Sequence, residues 1–185
     1  MEELPKLTGP DLESNDETIY PDVFEVQSFP DWGRVAIGSR SGEVELLLEL
    51  CRSWGGSFGV LFVLLTSRRG YEPGRYESPS LDHGELGVFL ERFSRFIEQD
   101  GRHHLWILST EGEGPLVFDN HNLIYAYGQL GDLTALLESR GYSAGEVSIP
   151  DPHSHHYHSQ FDEEEESMMT LWDWKRFPLA PGDDS

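Results

Sequence analysis

An uninterrupted apolar run at residues 58–65 constrains the fold of this chain more than any other feature. It lacks the alternation of polar and apolar residues that marks a half-buried strand, so it predicts a strand buried on both faces of a sheet. Predicted amphipathic helices flank it at residues 42–54 and 82–100. We therefore expect a central strand covered by helices. The second helix suggests a right-handed crossover to the next strand, at residues 105–108.

Shorter predicted elements complete the fold. They are hairpins at residues 23–37 and 115–127, a polar loop at 68–79, a third helix ending before Gly141, and a final strand at 146–149. Because helices and hairpins are interspersed, we predict an α+β fold: a single domain with a mixed β-sheet, about three helices and a hairpin meander in the C-terminal half. We assign residues 1–19 to an irregular acidic arm and 20–150 to the domain. Residues 151–185 form a His-rich and acidic-aromatic segment, expected to dock on it.

Charge restricts the partners of the chain. Its 185 residues include 34 acidic and 13 basic side chains, for a net charge of −21. Residues 1–33 hold −8 and residues 150–185 hold −7 of this charge. Such acidity repels phosphate and anionic lipid, which argues against nucleic-acid and membrane partners.

Cysteine content and the N-terminal sequence bear on localisation. The lone Cys51 permits neither an intrachain disulfide nor a thiolate metal site. The acidic N-terminus is unlike a signal peptide, so we expect a cytoplasmic protein.

The most conspicuous polar segment is a histidine tract at residues 153–158. Imidazoles ligate zinc, nickel and copper, and dense tracts capture such ions even without a preformed site. The candidate metal ligands are His153, His155, His156 and His158. Flanking prolines and an acidic run favour a solvated linker that binds divalent metal adventitiously, so no cofactor is predicted.

Asp119 and His121 share the connector of the second predicted hairpin. A carboxylate and an imidazole at one turn suit acid–base or metal chemistry. Asp and Asn are also preferred turn residues, because they tolerate left-handed backbone angles. A plain turn is therefore the favoured interpretation, with a catalytic or metal site as the alternative.

Cationic and aromatic side chains concentrate in the loop that follows the buried run, where they could grip a carboxylate or phosphate. These candidate binding residues are Arg68, Arg69, Tyr71 and Arg75. Pairing with the chain's own excess of acids is the simpler interpretation, because surface ion pairs need no function.

An acidic run at residues 162–166 precedes a patch of Trp172, Trp174 and Phe177. Large rings are costly to leave in water, so they either dock on the domain or bind a partner. We expect docking, with the acids near the arginine loop.

Two functions are compatible with these features. The leading hypothesis is an acidic cytoplasmic interaction domain of inhibitor or immunity-like type, without catalysis, steered toward a basic protein partner. The alternative is a metal-dependent hydrolase or small-molecule-binding protein that uses Asp119, His121 and the loop of residues 68–75. A third hypothesis makes the chain one subunit of an assembly. The sequence contains no G-x-S-x-G, H-E-x-x-H or phosphate-loop pattern,.

Overall fold

The fold is α+β, as predicted, in a computed structural model that describes residues 5–9, 20–52, 54–111 and 114–183. Within these ranges the chain forms a nine-stranded mixed sheet, a two-stranded sheet and four α-helices. The strands are β1 (Leu7–Thr8), β2 (Val23–Ser28), β3 (Gly33–Gly38), β4 (Phe58–Leu64), β5 (Gly74–Glu77), β6 (His103–Ser109), β7 (Leu116–Phe118), β8 (Leu123–Ala126), β9 (Ser143–Ala144), β10 (Ser154–His155) and β11 (Lys175–Phe177). The helices are α1 (Glu43–Arg52), α2 (His83–Gln99), α3 (Leu130–Ser139) and α4 (Asp162–Met169).

The large sheet has the order β11-β5-β4-β6-β7-β8-β3-β2-β9. Cross-strand register places one continuous apolar row on the face that packs with the apolar sides of the helices in a single core. This row consists of Phe62, Leu105, Phe118, Ile124, Ile37 and Phe24. Burial of such a row against amphipathic helices is the main stabilising contribution to a sheet of this kind.

The opposite face of the sheet, which we call the cleft face, is more polar. Its cross-strand row consists of Leu61, Trp106, Val117, Tyr125, Ala36 and Glu25. Since side chains two residues apart on a strand share a face, Arg34, Arg75 and His104 belong to the cleft face as well. The functional residues described below lie on or beside this face.

Strand β4 is an interior strand, third from one edge of the sheet. Its first half is covered on one face only, because Gly59 and Leu61 are half-buried while Phe58 and Val60 are buried. The expectation of burial on both faces therefore holds only for its second half. Helix α2 begins with the predicted capping box: the Asp82 carboxylate accepts from the backbone N of Glu85, and the Glu85 carboxylate accepts from that of Asp82.

The predicted crossover between β4 and β6 is wrong, because these strands pair antiparallel. Strand β5 was not predicted: it lies inside the stretch expected to be a polar loop and pairs antiparallel with β4. Both β5 and β6 therefore run opposite to β4 and parallel to each other. Helix α2 connects these two strands, passing over β4 between them.

Two further differences concern the second half of the chain. The strand predicted at residues 146–149 is absent from the described structure; the strand after α3 is β9, which pairs in parallel with β2. The acidic run expected as part of a docked segment forms helix α4, and β11 then adds to the edge of the sheet beside β5.

Part of the predicted acidic arm is described, and it belongs to the folded body. Strand β1 pairs antiparallel with β10, with Leu7 opposite His155 and Thr8 opposite Ser154. Lys6 and Leu7 are fully buried. Residues 1–4 and 10–19 of that arm lie outside the described ranges. Among the described helices, none has both the length and the apolar character needed to span a bilayer.

Candidate metal centre and adjoining cleft

The turn between β7 and β8 is organised by the Asp119 carboxylate. Its Oδ1 accepts hydrogen bonds from the backbone N of His121 and of Leu123, each at 2.9 Å. Its Oδ2 lies 3.0 Å from Nδ1 of His121. Burial is the largest single influence and raises the pKa of Asp119, but the interactions with His121, the backbone N of Leu123 and His104 together outweigh it, so the pKa lies below its ordinary value. Asp119 is therefore an ionised carboxylate whose two oxygens both accept hydrogen bonds,.

The histidine tract is fixed to the body of the domain by its backbone. The backbone N of His156 donates to the carbonyl of Lys6 at 2.9 Å, and its carbonyl accepts from Gly101 N at 2.9 Å. The backbone N of His158 donates to Asp100 Oδ2 at 2.8 Å. Together with the pairing of β10 and β1, these bonds make residues 153–158 a strap, unlike the solvated linker favoured from the sequence.

The strap brings two histidines of the tract against the turn histidine. One ring nitrogen each from His121, His153 and His155 lies within 4.8 Å of the others. The three ring centroids are 5.0 Å (His121–His153), 4.9 Å (His121–His155) and 5.1 Å (His153–His155) apart, with interplanar angles of 80°, 60° and 79°. The imidazoles thus surround a common point. The sequence had placed them in two separate candidate sites.

Hydrogen bonding defines the tautomer of each ring in this cluster. Nδ1 of His121 meets the Asp119 carboxylate at 3.0 Å, Nδ1 of His153 meets the Pro150 carbonyl at 2.8 Å, and Nδ1 of His155 meets the Asn120 carbonyl at 3.1 Å. Because carbonyl and carboxylate oxygens only accept, each Nδ1 must carry the proton. In the neutral form of each ring, Nε2 then carries the lone pair, which is the form that ligates a metal.

Burial and the neighbouring imidazoles of His121 and His153 keep His155 neutral. Together they lower its pKa from 6.5 to about 4. At neutral pH this ring therefore needs to release no proton before it binds a cation. Its Nε2 lies 3.4 Å from the Asn120 side-chain amide nitrogen, a long contact that a metal would replace.

The other two histidines of the tract have structural contacts instead. Nε2 of His156 lies 3.0 Å from Thr8 Oγ1, and Nε2 of His158 donates to the Pro5 carbonyl at 2.7 Å. Their rings stack on each other with centroids 6.0 Å apart. Of the four histidines predicted as metal ligands, only His153 and His155 belong to the cluster.

A cleft of about 270 Å³ adjoins the cluster, and His121 belongs to both. The floor of the cleft is the cleft face of the sheet, and residues near the C-terminus border it. The lining residues are Arg34, His104, Trp106, Val117, Asp119, His121, Tyr125, Tyr127, Ile149, Gly182 and Asp183. Arg34 was missed in the sequence, where a single arginine in a short strand gives no signal of a site.

The arginines of the predicted binding loop pair with carboxylates from the C-terminal segment. Arg68 contacts Asp162 at 3.0 Å and Arg69 contacts Glu166 at 2.6 Å. Arg75 makes two bonds to Asp183, at 2.7 and 2.8 Å. Tyr71 packs against the core. The loop is therefore occupied by the protein's own acids.

The aromatic residues of the C-terminal segment divide between core and surface. Trp172 and Trp174 pack against the core, where Trp172 lies 4.8 Å from Phe89 between ring centroids and the Trp174 indole donates to the Met168 carbonyl at 2.9 Å. Phe177 lies in the edge strand β11 and remains exposed. Docking thus uses the two tryptophans and not Phe177.

A buried arginine, also missed in the sequence, joins the strap and α4 to the sheet. Arg102 is fully buried and bonds both oxygens of Asp100, at 2.7 and 2.9 Å. It also bonds the buried Glu165 and, at 2.8 Å, the carbonyl of His158. Glu165 appeared in the sequence as one of four consecutive glutamates, so nothing distinguished the buried one from its more accessible neighbours.

No family model matches this chain, and neither a curated protein nor a solved structure matches it.

Proposed function

We propose that the protein binds a divalent transition metal of the zinc class through Nε2 of His121, His153 and His155. The observation that carries the proposal is the shared tautomer: all three rings donate from Nδ1 to an oxygen and present Nε2 lone pairs. In a tetrahedral zinc site ligating nitrogens are about 3.3 Å apart, from Zn–N distances of about 2.0–2.1 Å. One nitrogen of each ring lies within 4.8 Å of the others in the structure, so zinc binding would bring these nitrogens closer together.

Three protein ligands suit catalysis better than a purely structural role. Structural zinc sites are usually closed by four protein ligands, whereas catalytic sites keep one position for water. A zinc ion held by His121, His153 and His155 would supply an activated water for hydrolysis. Because His121 also lines the cleft, we propose hydrolysis of a small substrate held there. A cytoplasmic location remains part of this proposal.

Asp119 acts in this proposal as a positioning residue. Its Oδ2 accepts from His121 Nδ1, the carboxylate–histidine–metal arrangement that orients a ligand and increases its basicity,. Both of its oxygens are already hydrogen-bonded, which makes it a poor general base for a substrate. This assigns Asp119 a different role from the acid–base chemistry considered in the sequence.

Zinc titration of tag-free protein, purified without a metal column and treated with chelator, tests the metal site. We expect one equivalent of zinc to bind and to raise the melting temperature. His121→Ala or His155→Ala should weaken binding by at least tenfold. His156→Ala is the matched control, because it removes an imidazole from the same strap but not from the cluster. Binding that survives His121→Ala, or falls equally in the control, contradicts the proposal.

Hydrolysis needs its own measurement. Turnover of chromogenic p-nitrophenyl esters should require zinc and disappear in His121→Ala while persisting in His156→Ala. Stoichiometric zinc without any zinc-dependent turnover would retain the metal site and remove the enzymatic half of the proposal.

A second proposal retains the acidic interaction domain of inhibitor or immunity-like type. The observation that favours it is an apolar tip on the β2–β3 hairpin, where Phe29 and Trp32 stack at 4.0 Å and remain 41% and 49% exposed. A basic partner steered by the acidic surface would bury this tip. Salt-sensitive binding of a basic protein that Trp32→Ser abolishes would support it; binding indifferent to that change would contradict it.

A further inference from the structure

We infer that the cleft beside the histidine cluster binds a small organic anion, with Arg34 holding its carboxylate or phosphate and Trp106 and Tyr125 contacting its apolar part. The inference rests on the proposed function, since it names the substrate class of that cleft. It depends on three properties: the position of Arg34, the neutrality of its partners, and the aromatic surface next to it.

Arg34 is held in place without being neutralised. Its Nε donates to Gln27 Oε1 at 2.8 Å, and its Nη1 contacts the Tyr127 hydroxyl at 3.4 Å. Its guanidinium carbon lies 4.0 Å from the centroid of the Tyr125 ring. An arginine stacked on an aromatic ring keeps its planar set of donors in one orientation, which lowers the entropic cost of binding an anion.

Arg34 lines the cleft without a carboxylate partner among the described residues. With 34 acids and 13 bases, acidic partners are plentiful, and arginines 68, 69, 75, 102, 140 and 176 all pair with them. Within the described ranges Arg34 forms no such pair, although it lines a cleft that also contains two carboxylates. Asp183 is engaged by Arg75, and Asp119 by His121 and the turn backbone. A cation that has no carboxylate partner and lines a cleft favours an anionic ligand.

The surface next to Arg34 suits a flat apolar group. Trp106 and Tyr125 stand in one cross-strand row with Val117 between them, so their side chains share the cleft wall. Burial raises the pKa of the Tyr125 hydroxyl, which therefore remains protonated and adds no negative charge. His121 lies on the same cleft, so a ligand held by Arg34 would occupy the cleft that adjoins the candidate metal site.

Calorimetric titration with phenyl phosphate and with benzoate tests the inference and separates the two head groups. On zinc-free protein we expect saturable binding of at least one probe, weakened at least tenfold in Arg34→Gln, since the variant loses the charge-assisted hydrogen bonds of the guanidinium. Arg69→Gln is the matched control, because it removes an arginine that is outside the cleft. Benzyl alcohol, which keeps the ring but lacks the charge, should bind at least tenfold more weakly than the better probe.

The outcomes separate this inference from the proposed function. Anion binding lost in Arg34→Gln but kept in His121→Ala supports the inference even if zinc fails to bind. Binding of neither anion, equal affinity in Arg34→Gln, or equal affinity for benzyl alcohol overturns it even if zinc binds. If Arg34→Gln fails to fold, Arg34→Lys is the second variant, because it keeps the charge without the planar donors. It should bind the better probe with reduced affinity. Unchanged affinity in Arg34→Lys overturns the role of the guanidinium.

Discussion

Lys6 Nζ donates a hydrogen bond to the backbone carbonyl of Asp119 at 2.9 Å, joining residues 113 positions apart in the sequence. The same ammonium donates to the carbonyl of Ile97 at 3.0 Å and lies 3.9 Å from the centroid of the Phe118 ring. The Lys6 carbonyl in turn accepts from the backbone N of His156. One buried residue therefore supports both the turn and the strap that form the histidine cluster.

Lys6→Met should destabilise the fold by about 2 kcal/mol, because it fills a similar volume but leaves two buried carbonyls without this donor. Zinc binding should weaken as well, since the turn loses its tether. Lys175→Met is the matched control, because the Lys175 side chain is 72% exposed and pairs with Glu77 at 3.7 Å. This substitution should lower the free energy of unfolding by under about 1 kcal/mol. Urea unfolding gives both values, and equal losses would contradict the assigned role of Lys6.

Arg102→Met should lower the free energy of unfolding by about 3–5 kcal/mol, because it leaves the buried carboxylates of Asp100 and Glu165 without their cation. Arg102→Lys should not restore stability, since an ammonium cannot make the paired bonds to Asp100. Arg69→Met removes an exposed pair and should cost under about 1 kcal/mol. Denaturant unfolding of the three variants measures these free energies. An Arg102→Lys variant as stable as wild type would contradict the role assigned to the guanidinium.

His103→Leu should stabilise the protein at pH 7 by about 1–2 kcal/mol. The ring is fully buried between Phe62 and Phe96, and neither of its nitrogens has a hydrogen-bond partner among the described residues. Replacing an unsatisfied polar group by an apolar one of similar size removes its desolvation penalty. His83→Leu, at a ring that contacts the Cys51 carbonyl at 3.2 Å, should not stabilise.

The stability of wild type should also fall in acid through His103. Burial lowers its pKa well below 6.5, so below pH 6.5 the unfolded chain takes up a proton that the folded protein does not. The unfolded state is thereby favoured as the pH decreases. The stabilisation by His103→Leu should accordingly be larger at pH 5 than at pH 7, and a difference that shrinks in acid would refute this explanation.

Trp174→Ala should lower the free energy of unfolding by about 2 kcal/mol, because it removes a ring packed on the core and its hydrogen bond to the Met168 carbonyl,. Trp32→Ala, at the exposed hairpin tip, should change stability by under about 1 kcal/mol.

Deletion of residues 160–185 should be more severe and should promote aggregation through the uncovered apolar surface. Thermal melts and light scattering would disprove docking if the truncated protein remained monomeric with an unchanged melting temperature.

The elements with strong local signals were predictable from the sequence. Helix α2 has a capping box and an apolar stripe over 17 residues, and the β7–β8 hairpin has a polar connector. Helix α4 is different: only Phe161 just before it and Met168 within it offer buried apolar side chains, and its remaining buried residue is Glu165. Such a helix is specified by Arg102 from elsewhere in the fold, so it has almost no local pattern.

The candidate site was predictable only in parts. His121, His153 and His155 each stood out by residue type, but their approach depends on tertiary contacts that no spacing encodes. Lys6 and β1, which hold the strap, fell in a stretch whose composition predicted an irregular arm. Arg34 acquires its role from the neighbouring strand β8 and from β7 and β6 beyond it in the sheet. A site assembled from distant segments leaves no contiguous motif in the sequence.

The pairing of β1 with β10 has a consequence for biosynthesis. Leu7 and Thr8 are synthesised well before their partners Ser154 and His155, which lie far downstream in the chain. Until then the nascent chain has no second strand for β1 and no companions for His121. The histidine cluster can therefore assemble only after residue 155 has been synthesised, and any product that terminates before residue 153 lacks two of its three rings.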